Sequence, residues 1–345
     1  VWTPAHTDAV GAHVHRNVVS GGCGAGVALR GSARVFGLKV EANLINASDA
    51  PLATIGGAGV CLLEGNATLG ASVVLSNNAA LAVGGGVFVG QSSTLSLPGT
   101  RVDVNLAAAG AGAFVDGNAS LFGERTTFTG NMARGHTAVN AWLSLLSATL
   151  ARDAIDPTVG VGGAMLCYGC SAIDGVYVEN STASIGAGVA ILAAPSSVRT
   201  VLTNVVITTG AASMHGGCVA ALEGVSVTMT AVECTGNTAN RTGGGLWASR
   251  ANVSFANSGT VQAQTTRFTA NRAQLGGGIY LQDAQLSAQA GLGRILVTEN
   301  TAGAGGGVYC EAAMGASCLI QGVNVQSNTA ASGGGVYVQG HVCQG

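Results

Sequence analysis

Charged side chains are scarce in this sequence. The 345 residues include 14 basic and 16 acidic side chains, which is 9% of the chain and a formal net charge of −2. Ordinary soluble domains carry roughly 25% charged residues. A strongly basic nucleic-acid-binding protein is therefore excluded, and we expect no nucleic acid among the partners.

Long apolar runs and prolines are also missing. The hydrophobic fraction is 48%, yet Ser, Thr, Asn or a charge interrupts every apolar run. A membrane-spanning helix needs about 18 consecutive apolar residues, so we expect no transmembrane segment in this chain. Five prolines and dispersed glycines exclude collagen, which requires Gly at every third position.

Cysteines and glycosylation motifs point to the secretory route. The chain has nine cysteines and six Asn-x-Ser/Thr motifs, and disulfides and N-glycans are both typical of extracellular proteins. We therefore expect an extracellular or cell-surface location. The chain begins at Val1 and its last repeat is short, which predicts one domain over residues 1–345 that is a fragment of a longer protein. The six motifs begin at Asn46, Asn66, Asn118, Asn180, Asn240 and Asn252.

The 55 glycines reveal an internal repeat, which has to be found before any local structure is assigned. A Gly-rich tripeptide followed by an apolar residue recurs along the chain, as in Gly276-Gly277-Gly278-Ile279. The third position of each copy serves as a marker, and the eleven spacings between markers average about 28 residues. The markers are Gly26, Gly59, Gly86, Gly112, Ala138, Ala164, Gly188, Cys218, Gly245, Gly278, Gly307 and Gly335.

A second motif precedes the glycines in most copies. An aromatic or β-branched residue is followed three positions later by Asn, as in Phe268-Thr-Ala-Asn271. Each repeat therefore reads as short strands separated by an Asn turn and a Gly turn. Such a repeat cannot make long hairpins, but it can make a parallel coil in which each strand pairs with its equivalent one repeat later. We predict an all-β, right-handed parallel β-helix of about 12 rungs of about 28 residues.

The β-helix prediction assigns particular residues to stacked columns. Phe268, Val297 and Val325 are expected to form one interior column at a spacing of about 4.8 Å. Asparagine tolerates turns and its amide can bond to the amide one rung away, so the turn asparagines are expected to form a ladder. We place five residues in this ladder: Asn131, Asn180, Asn271, Asn300 and Asn328.

The two motifs together resemble repeats of the polymorphic outer membrane protein family and of right-handed β-helix proteins with the pectin-lyase-like fold. The resemblance extends over residues 17–340. It implies the β-helix fold but leaves the function open, because the same coil serves adhesins, polysaccharide lyases and passive spacers.

Candidate catalytic and metal-binding groups are sparse. Glu179 and Glu299 are assigned to equivalent positions, but four rungs separate them by roughly 19 Å, too far for a pair of catalytic carboxylates. The cluster of Arg152, Asp153 and Asp156 reads as a polar turn. A second group of candidates, His6, His13 and His15, reads as exposed side chains rather than metal ligands.

We accordingly predict no catalytic residue, no metal and no cofactor. A polysaccharide lyase or glycosidase remains the alternative function. An ice-binding solenoid is a lesser alternative, since the Thr-rich segments do not fall in one column.

The cysteines are interpreted as disulfides, each clipping a loop. We predict four pairs and leave Cys343 for a partner outside this chain segment. The pairs are Cys23 with Cys61, Cys167 with Cys170, Cys218 with Cys234, and Cys310 with Cys318.

A set of aromatic residues supplies the candidate binding surface. After the glycine turn, strand residues alternate between interior and exterior, so Trp247, Tyr280, Tyr309 and Tyr337 are expected to face outward on four consecutive rungs. Such a stripe could contact a partner chain or a glycan, or be covered by a loop or neighbouring module. We expect Tyr280→Ser with Tyr309→Ser to reduce association while leaving the coil folded.

The sequence thus predicts a non-enzymatic structural or adhesive glycoprotein segment, a rigid rod that presents an interaction surface or assembles in a filament or surface appendage. Its expected partners are other protein chains, further domains or cell-surface polysaccharide. Sugars are predicted on some of Asn46, Asn66, Asn118, Asn240 and Asn252, and none on Asn180.

Overall fold

The computed structural model describes residues 8–46, 56–135, 159–194, 199–256, 265–288, 295–313 and 318–340. These residues form 41 β-strands and no helix, which confirms the all-β prediction. The strands fall into four stacks, numbered in the order in which the chain visits them. We call one pass through the four stacks a rung.

Stacks 1 and 2 belong to one sheet and lie before the asparagine turn. Two long strands, β17 (Ser120–Thr129) and β20 (Ala172–Glu179), run through both stacks. Stack 1 also contains β1 (Asp8–Val10), β5 (Ala33–Phe36), β9 (Asn66–Leu69), β13 (Thr94–Ser96), β23 (Thr200–Thr203), β27 (Ser226–Thr230), β31 (Asn252–Phe255), β34 (Gln285–Ala288) and β38 (Leu319–Gln321). Stack 2 also contains β2 (His13–His15), β6 (Lys39–Glu41), β10 (Val74–Ser76), β14 (Arg101–Asp103), β24 (Val206–Thr208), β28 (Glu233–Thr235), β32 (Thr266–Thr269), β35 (Ile295–Thr298) and β39 (Val323–Gln326).

Stacks 3 and 4 lie on either side of the glycine turn. Stack 3 contains β3 (Val18–Val19), β7 (Leu44–Ile45), β11 (Ala79–Val83), β15 (Leu106–Ala109), β18 (Met132–Ala133), β21 (Thr182–Ile185), β25 (Ala211–His215), β29 (Thr238–Ala239), β36 (Thr301–Ala304) and β40 (Thr329–Ser332). Stack 4 contains β4 (Val27–Arg30), β8 (Val60–Glu64), β12 (Val87–Val89), β16 (Ala113–Val115), β19 (Met165–Tyr168), β22 (Val189–Leu192), β26 (Val219–Ala221), β30 (Leu246–Ser249), β33 (Ile279–Gln282), β37 (Val308–Ala312) and β41 (Val336–Gly340).

Pairing within each stack is parallel and joins equivalent residues of successive repeats. In stack 4, for example, Val27 pairs with Val60 and Val60 pairs with Val87. Backbone groups thus find their partners one rung away, as a parallel coil requires. The predicted column is confirmed, because Phe268 pairs with Val297 and Val297 with Val325.

The glycine markers locate the strands of stack 4. Eleven of the twelve markers are each followed at once by a stack 4 strand. The twelfth marker, Ala138, lies outside the described residues. Ala113 pairs directly with Met165, so the strands after Gly112 and Ala164 are neighbours although 52 residues separate these two markers. The even spacing of about 26 residues expected between Gly112, Ala138 and Ala164 is therefore wrong. The long connection between β16 and β19 leaves the pairing of these two strands in register.

Two apolar cores run along the stacks. The inner core lies between stacks 4, 1 and 2, and it contains Val87 and Leu95. The outer core lies between stacks 3 and 4, and it contains Phe88 together with Ala80 and Ala82. Alternate residues of a stack 4 strand therefore face different cores, and both faces of that stack are buried.

The asparagine ladder is present in two runs. In each step the amide Nδ2 of one Asn donates to Oδ1 of the next, as from Asn43 to Asn78 at 3.0 Å and from Asn271 to Asn300 at 3.0 Å. Asn43, Asn78, Asn271 and Asn300 are almost fully buried, so the bonds satisfy groups that water cannot reach. The first run comprises Asn17, Asn43, Asn78, Asn105 and Asn131, and the second comprises Asn237, Asn271, Asn300 and Asn328.

Asn180 does not belong to the ladder, so its placement there was wrong. Met132 pairs with Thr182 and Thr182 with Ala211, which puts Ser181 and Gly210 in the ladder positions of these two rungs. Asn180 precedes that position, is exposed, and adopts a left-handed φ of 51°. Tyr177 pairs with Thr127 and Val178 with Phe128, so the motif Tyr177-Val-Glu-Asn180 lies one residue before the register of the ladder.

The two sequence motifs meet in space. A Cβ placed on Gly278 would lie 2.9 Å from Nδ2 of Asn300 and 2.7 Å from the carbonyl oxygen of Gly307. The marker position therefore favours glycine because it packs against the ladder asparagine of the following rung. This contact explains why the Gly and Asn motifs recur together.

All four predicted cysteine pairs lie at disulfide distance. Their Cα separations are 5.7 Å for Cys23–Cys61, 5.3 Å for Cys167–Cys170, 5.8 Å for Cys218–Cys234 and 6.2 Å for Cys310–Cys318. Cys343 lies outside the described residues. Cys218 and Cys234 are fully buried in the inner core and connect the start of β26 to β28, so this bridge crosses the interior rather than clipping a loop.

Candidate functional site

The predicted aromatic column exists and is in register. Trp247 pairs with Tyr280, Tyr280 with Tyr309, and Tyr309 with Tyr337. Ring centroids of the three tyrosines are 5.2 and 5.1 Å apart along the stack, and the rings are nearly parallel. The imidazole of His215 stacks on Trp247 at 4.4 Å. The alternation of faces within stack 4 is therefore as expected.

The column is nevertheless buried, which corrects the expectation of an exposed stripe. Trp247 is 2% exposed, Tyr280 and Tyr309 are 4% exposed, and Tyr337 is half-buried. These rings belong to the outer core, where stack 3 folds back over stack 4. The strands of stack 3, rather than a loop or a neighbouring module, cover the aromatic residues, and the role of these residues is to pack the fold.

The glycine turns make this close cover possible. The first glycine of each turn has positive φ, as in Gly276 at 63° and Gly305 at 62°. A Cβ on Gly276 would lie 2.8 Å from Cβ of Tyr280, and a Cβ on Gly305 would lie 2.7 Å from Cβ of Tyr309. Only glycine combines this φ with such close contact. The Gly-rich motif therefore signals the cover as well as the turn.

The tyrosine hydroxyls reach the edge of the outer core. Tyr280 donates to the carboxylate of Glu311, and Tyr309 donates to the side-chain carbonyl of Gln339. Burial raises the pKa of Tyr280, and the adjacent Glu311 carboxylate raises it further. Burial is also the main cause of a raised pKa at Tyr309. Both phenols are thus held neutral as hydrogen-bond donors.

One exposed apolar surface lies on the outer face of stack 3. Val18, Leu44, Ala79, Leu106 and Met132 follow one another in register on five consecutive strands. Val18 is 66% and Leu106 39% exposed, and the other three are half-buried. We call these five residues the apolar column.

The surroundings of the apolar column distinguish the two halves of the chain. Leu81, which is 36% exposed, extends the apolar surface. Farther along stack 3 the same position is polar, apart from Ala211, and holds Thr182, Ala211, Thr238, Arg272 and Thr301. The column could have been predicted from the alternation in Ala79-Ala80-Leu81-Ala82, but short Ala-rich strands give a weak signal.

Acidic side chains are scattered over the described residues. Burial raises the pKa of Asp103 and of Asp116, and the guanidinium of Arg101 offsets part of the effect at Asp103. Glu179 pairs with Thr208, and successive pairings along stack 2 connect Thr208 to Thr298 rather than to Glu299. The two glutamates therefore do not occupy equivalent positions, and the assignment of a shared position was wrong. Within the described ranges, no group of three or more His, Cys, Asp or Glu residues could hold a metal ion.

The structure describes two of the three candidate histidines. His13 and His15 lie on one exposed face of β2, and His13 contacts Glu41 at 3.3 Å. His6, Arg152, Asp153 and Asp156 lie outside the described residues.

A threonine column was missed by the sequence reasoning. Thr208, Thr235, Thr269 and Thr298 are in register on four consecutive strands of stack 2. The residues two positions earlier on these strands are charged or apolar, namely Val206, Glu233, Arg267 and Leu296. The threonines therefore form a single column without a second threonine column beside it. The unequal rung lengths hide this column in the linear sequence.

All six glycosylation motifs place their asparagine at the surface. Asn46, Asn66, Asn118, Asn240 and Asn252 are exposed, and so is Asn180. The expectation that the Asn180 amide is engaged in the ladder was wrong, because Ser181 occupies the ladder position of this rung. Its side-chain Oδ1 instead accepts a hydrogen bond from the hydroxyl of Thr209 at 2.8 Å.

Comparison with protein-family models, with curated proteins and with solved structures found no match to this chain. Among the described residues, no helix has the length and apolar character needed to span a membrane.

Proposed function

We propose that this chain is a right-handed parallel β-helix that acts as a rigid structural and adhesive segment of an extracellular glycoprotein. The observation that carries the proposal is the continuous parallel pairing of the eleven strands of stack 4, from Val27 to Gly340. Its eleven strands span ten intervals of about 4.8 Å, or about 48 Å. A rod of this kind resists bending because each rung is bonded to its neighbours and packed on two cores.

Two further features favour the extracellular setting. Four cysteine pairs lie at disulfide distance, and such bonds persist in oxidising compartments. The six glycosylation motifs present exposed asparagines.

The apolar column is the surface through which we expect the rod to associate with other protein chains in an adhesive contact, a filament or a surface appendage. It is a run of apolar side chains on an outer face that is mainly polar farther along the stack. Polysaccharide on the cell surface remains a further candidate partner for this adhesive role.

Electron microscopy of the secreted chain tests the rod. Particles elongated along one axis by at least about 48 Å are expected, and compact particles without such an axis would contradict the proposal.

Sedimentation tests the associating surface. Leu81→Asp with Leu106→Asp should abolish or weaken association with itself or with extracted surface proteins. Thr238→Asp with Thr301→Asp, on the polar half of stack 3, is the matched control and should leave association unchanged. Equal association in both variants would sink the assignment of this surface, and release of oligosaccharides from added polysaccharides would favour an enzyme instead.

A further inference from the structure

Three shallow surface grooves share an unexpected composition. Their volumes are about 300, 380 and 600 Å³, and each contains one glycosylation asparagine and one arginine. The pairs are Asn66 with Arg34, Asn252 with Arg199, and Asn240 with Arg272. Among the described residues, the other lining residues are mainly Ser, Thr, Gln, Ala and Gly, and none of them is acidic.

The groove at Asn252 crosses three strands of stack 1. Asn252 is the exposed first residue of β31, and it lies in register between Ser226 and Gln285. One face of the groove continues through Ser254, which pairs with Ser287. The guanidinium of Arg199 donates to the hydroxyl of Ser254.

The groove at Asn66 repeats this arrangement in an earlier part of stack 1. Asn66 is the exposed first residue of β9 and pairs with Thr94. Thr68 pairs with Ser96 on one side and with Arg34 on the other. Both grooves thus contain the same set of groups. The set consists of an asparagine, the hydroxyl two residues later, two polar side chains of the next strand and an arginine.

The groove at Asn240 lies on stack 3. Arg272 is in register between Thr238 and Thr301, and Gln274 supplies a carboxamide. The groove is also lined by residues with small side chains or none, namely Ala239, Ala273 and Gly303. A bed of hydroxyls, carboxamides and a guanidinium offers both donors and acceptors to sugar hydroxyl and acetamido groups.

We propose that Asn66, Asn240 and Asn252 carry N-glycans whose first sugars lie along these grooves. This inference rests on the proposed extracellular function, because the sugars must be supplied in the secretory pathway. The amide Nδ2 forms a bond to the anomeric carbon of a lipid-diphosphate-linked oligosaccharide; the lipid diphosphate leaves, and the nitrogen loses one proton. The attached sugars then exchange water for the polar groups of the groove.

The other three glycosylation motifs provide an internal contrast. Asn118 and Asn180 lie in turns with φ values of 56° and 51°, and Asn46 follows the end of β7. Sugars at these three positions, which we call the turn sites because two of them lie in turns, extend into solvent.

Site-resolved deglycosylation tests the inference. The chain is secreted from a glycosylating eukaryotic host, digested in its folded state with a peptide N-glycosidase, and sampled over time by glycopeptide mass spectrometry. Release from Asn66, Asn240 and Asn252 should be about fivefold or more slower than release from occupied turn sites, since one or two net hydrogen bonds must break first. After denaturation all sites should react alike.

Reciprocal variants remove the groove without touching any glycosylation motif. Gln285→Ala with Ser287→Ala should speed release at Asn252 and leave Asn66 unchanged. Thr94→Ala with Ser96→Ala should do the opposite. Equal rates at all occupied sites of the folded chain, or variants without a site-specific effect, would overturn the inference while leaving the glycoprotein proposal standing. Sugars on the turn sites alone would also overturn it, and sugars on none of the six asparagines would overturn both proposals.

Discussion

Ser181 follows Asn131 in the column of ladder positions, and the asparagine ladder stops between them. Met132 and Thr182, the residues that follow them, are paired in register. Among the described residues, the buried hydroxyl of Ser181 is one of two buried side-chain polar groups with an atom that lacks a hydrogen-bond partner. A buried polar atom without a partner costs about 1–3 kcal/mol.

Replacing this serine should therefore not harm the protein. Ser181→Ala removes the unpaired hydroxyl and keeps the motif Asn180-x-Thr182 intact. We expect the free energy of unfolding to stay equal or rise by about 1 kcal/mol. Denaturant unfolding followed by circular dichroism measures this change, and a loss of stability greater than about 1 kcal/mol would show that Ser181 makes a bond that the fold needs.

An asparagine within the ladder should behave in the opposite way. Asn300 accepts from the backbone N–H and Nδ2 of Asn271, and it donates to Asn328 and to the carbonyl of Phe268. Asn300→Ala leaves several of these groups buried and unpaired. A loss of about 3 kcal/mol is expected in the same unfolding assay. Asn324→Ala, at an exposed position on β39, is the control and should change stability by less than about 0.5 kcal/mol.

The ladder also shows which features of the fold could be predicted from the sequence. The strand after eleven of the twelve markers and the register of Phe268 with Val297 follow from residues that recur with little variation. Asn180 was misplaced because its motif lies one residue before the register of the ladder. A shift of one residue moves a strand side chain to the other face of the sheet.

The candidate surface was harder to read than the fold. The alternation placed Tyr280 and Tyr309 on the face opposite the inner core, but it could not reveal a second layer over that face. The covering strands are short and rich in alanine, so they lack the β-branched and aromatic residues that mark a strand in a sequence. Their small side chains are what lets stack 3 lie close to stack 4.

The stability of the protein should depend on pH through Asp103. Burial raises the pKa of this carboxyl above its value in the unfolded chain, so the folded state keeps the proton over a range in which the unfolded state has lost it. Stability should consequently fall as pH rises through that range, from the unfolded pKa of about 3.9 upward. Asp103→Asn should raise the melting temperature at pH 7 and have less effect at pH 3. Glu124→Gln, at an exposed carboxyl, is the control, and the same pH profile for Asp103→Asn and wild type would contradict the argument.

The burial of the aromatic column changes what its substitution should do. Because Tyr280 and Tyr309 are 4% exposed and stack on each other, Tyr280→Ser with Tyr309→Ser should open a cavity in the outer core and destabilise the coil rather than leave it folded. Truncating a large buried aromatic residue costs about 3–5 kcal/mol. Thermal unfolding should show a marked fall in the melting temperature or a loss of secreted protein. Tyr177→Ser is the control, because Tyr177 is 37% exposed. Tyr309→Phe keeps the ring and should retain most of the stability. If the double Ser variant melted like the wild type, stack 3 would not be the cover of this column, and the rings would be open to a partner after all.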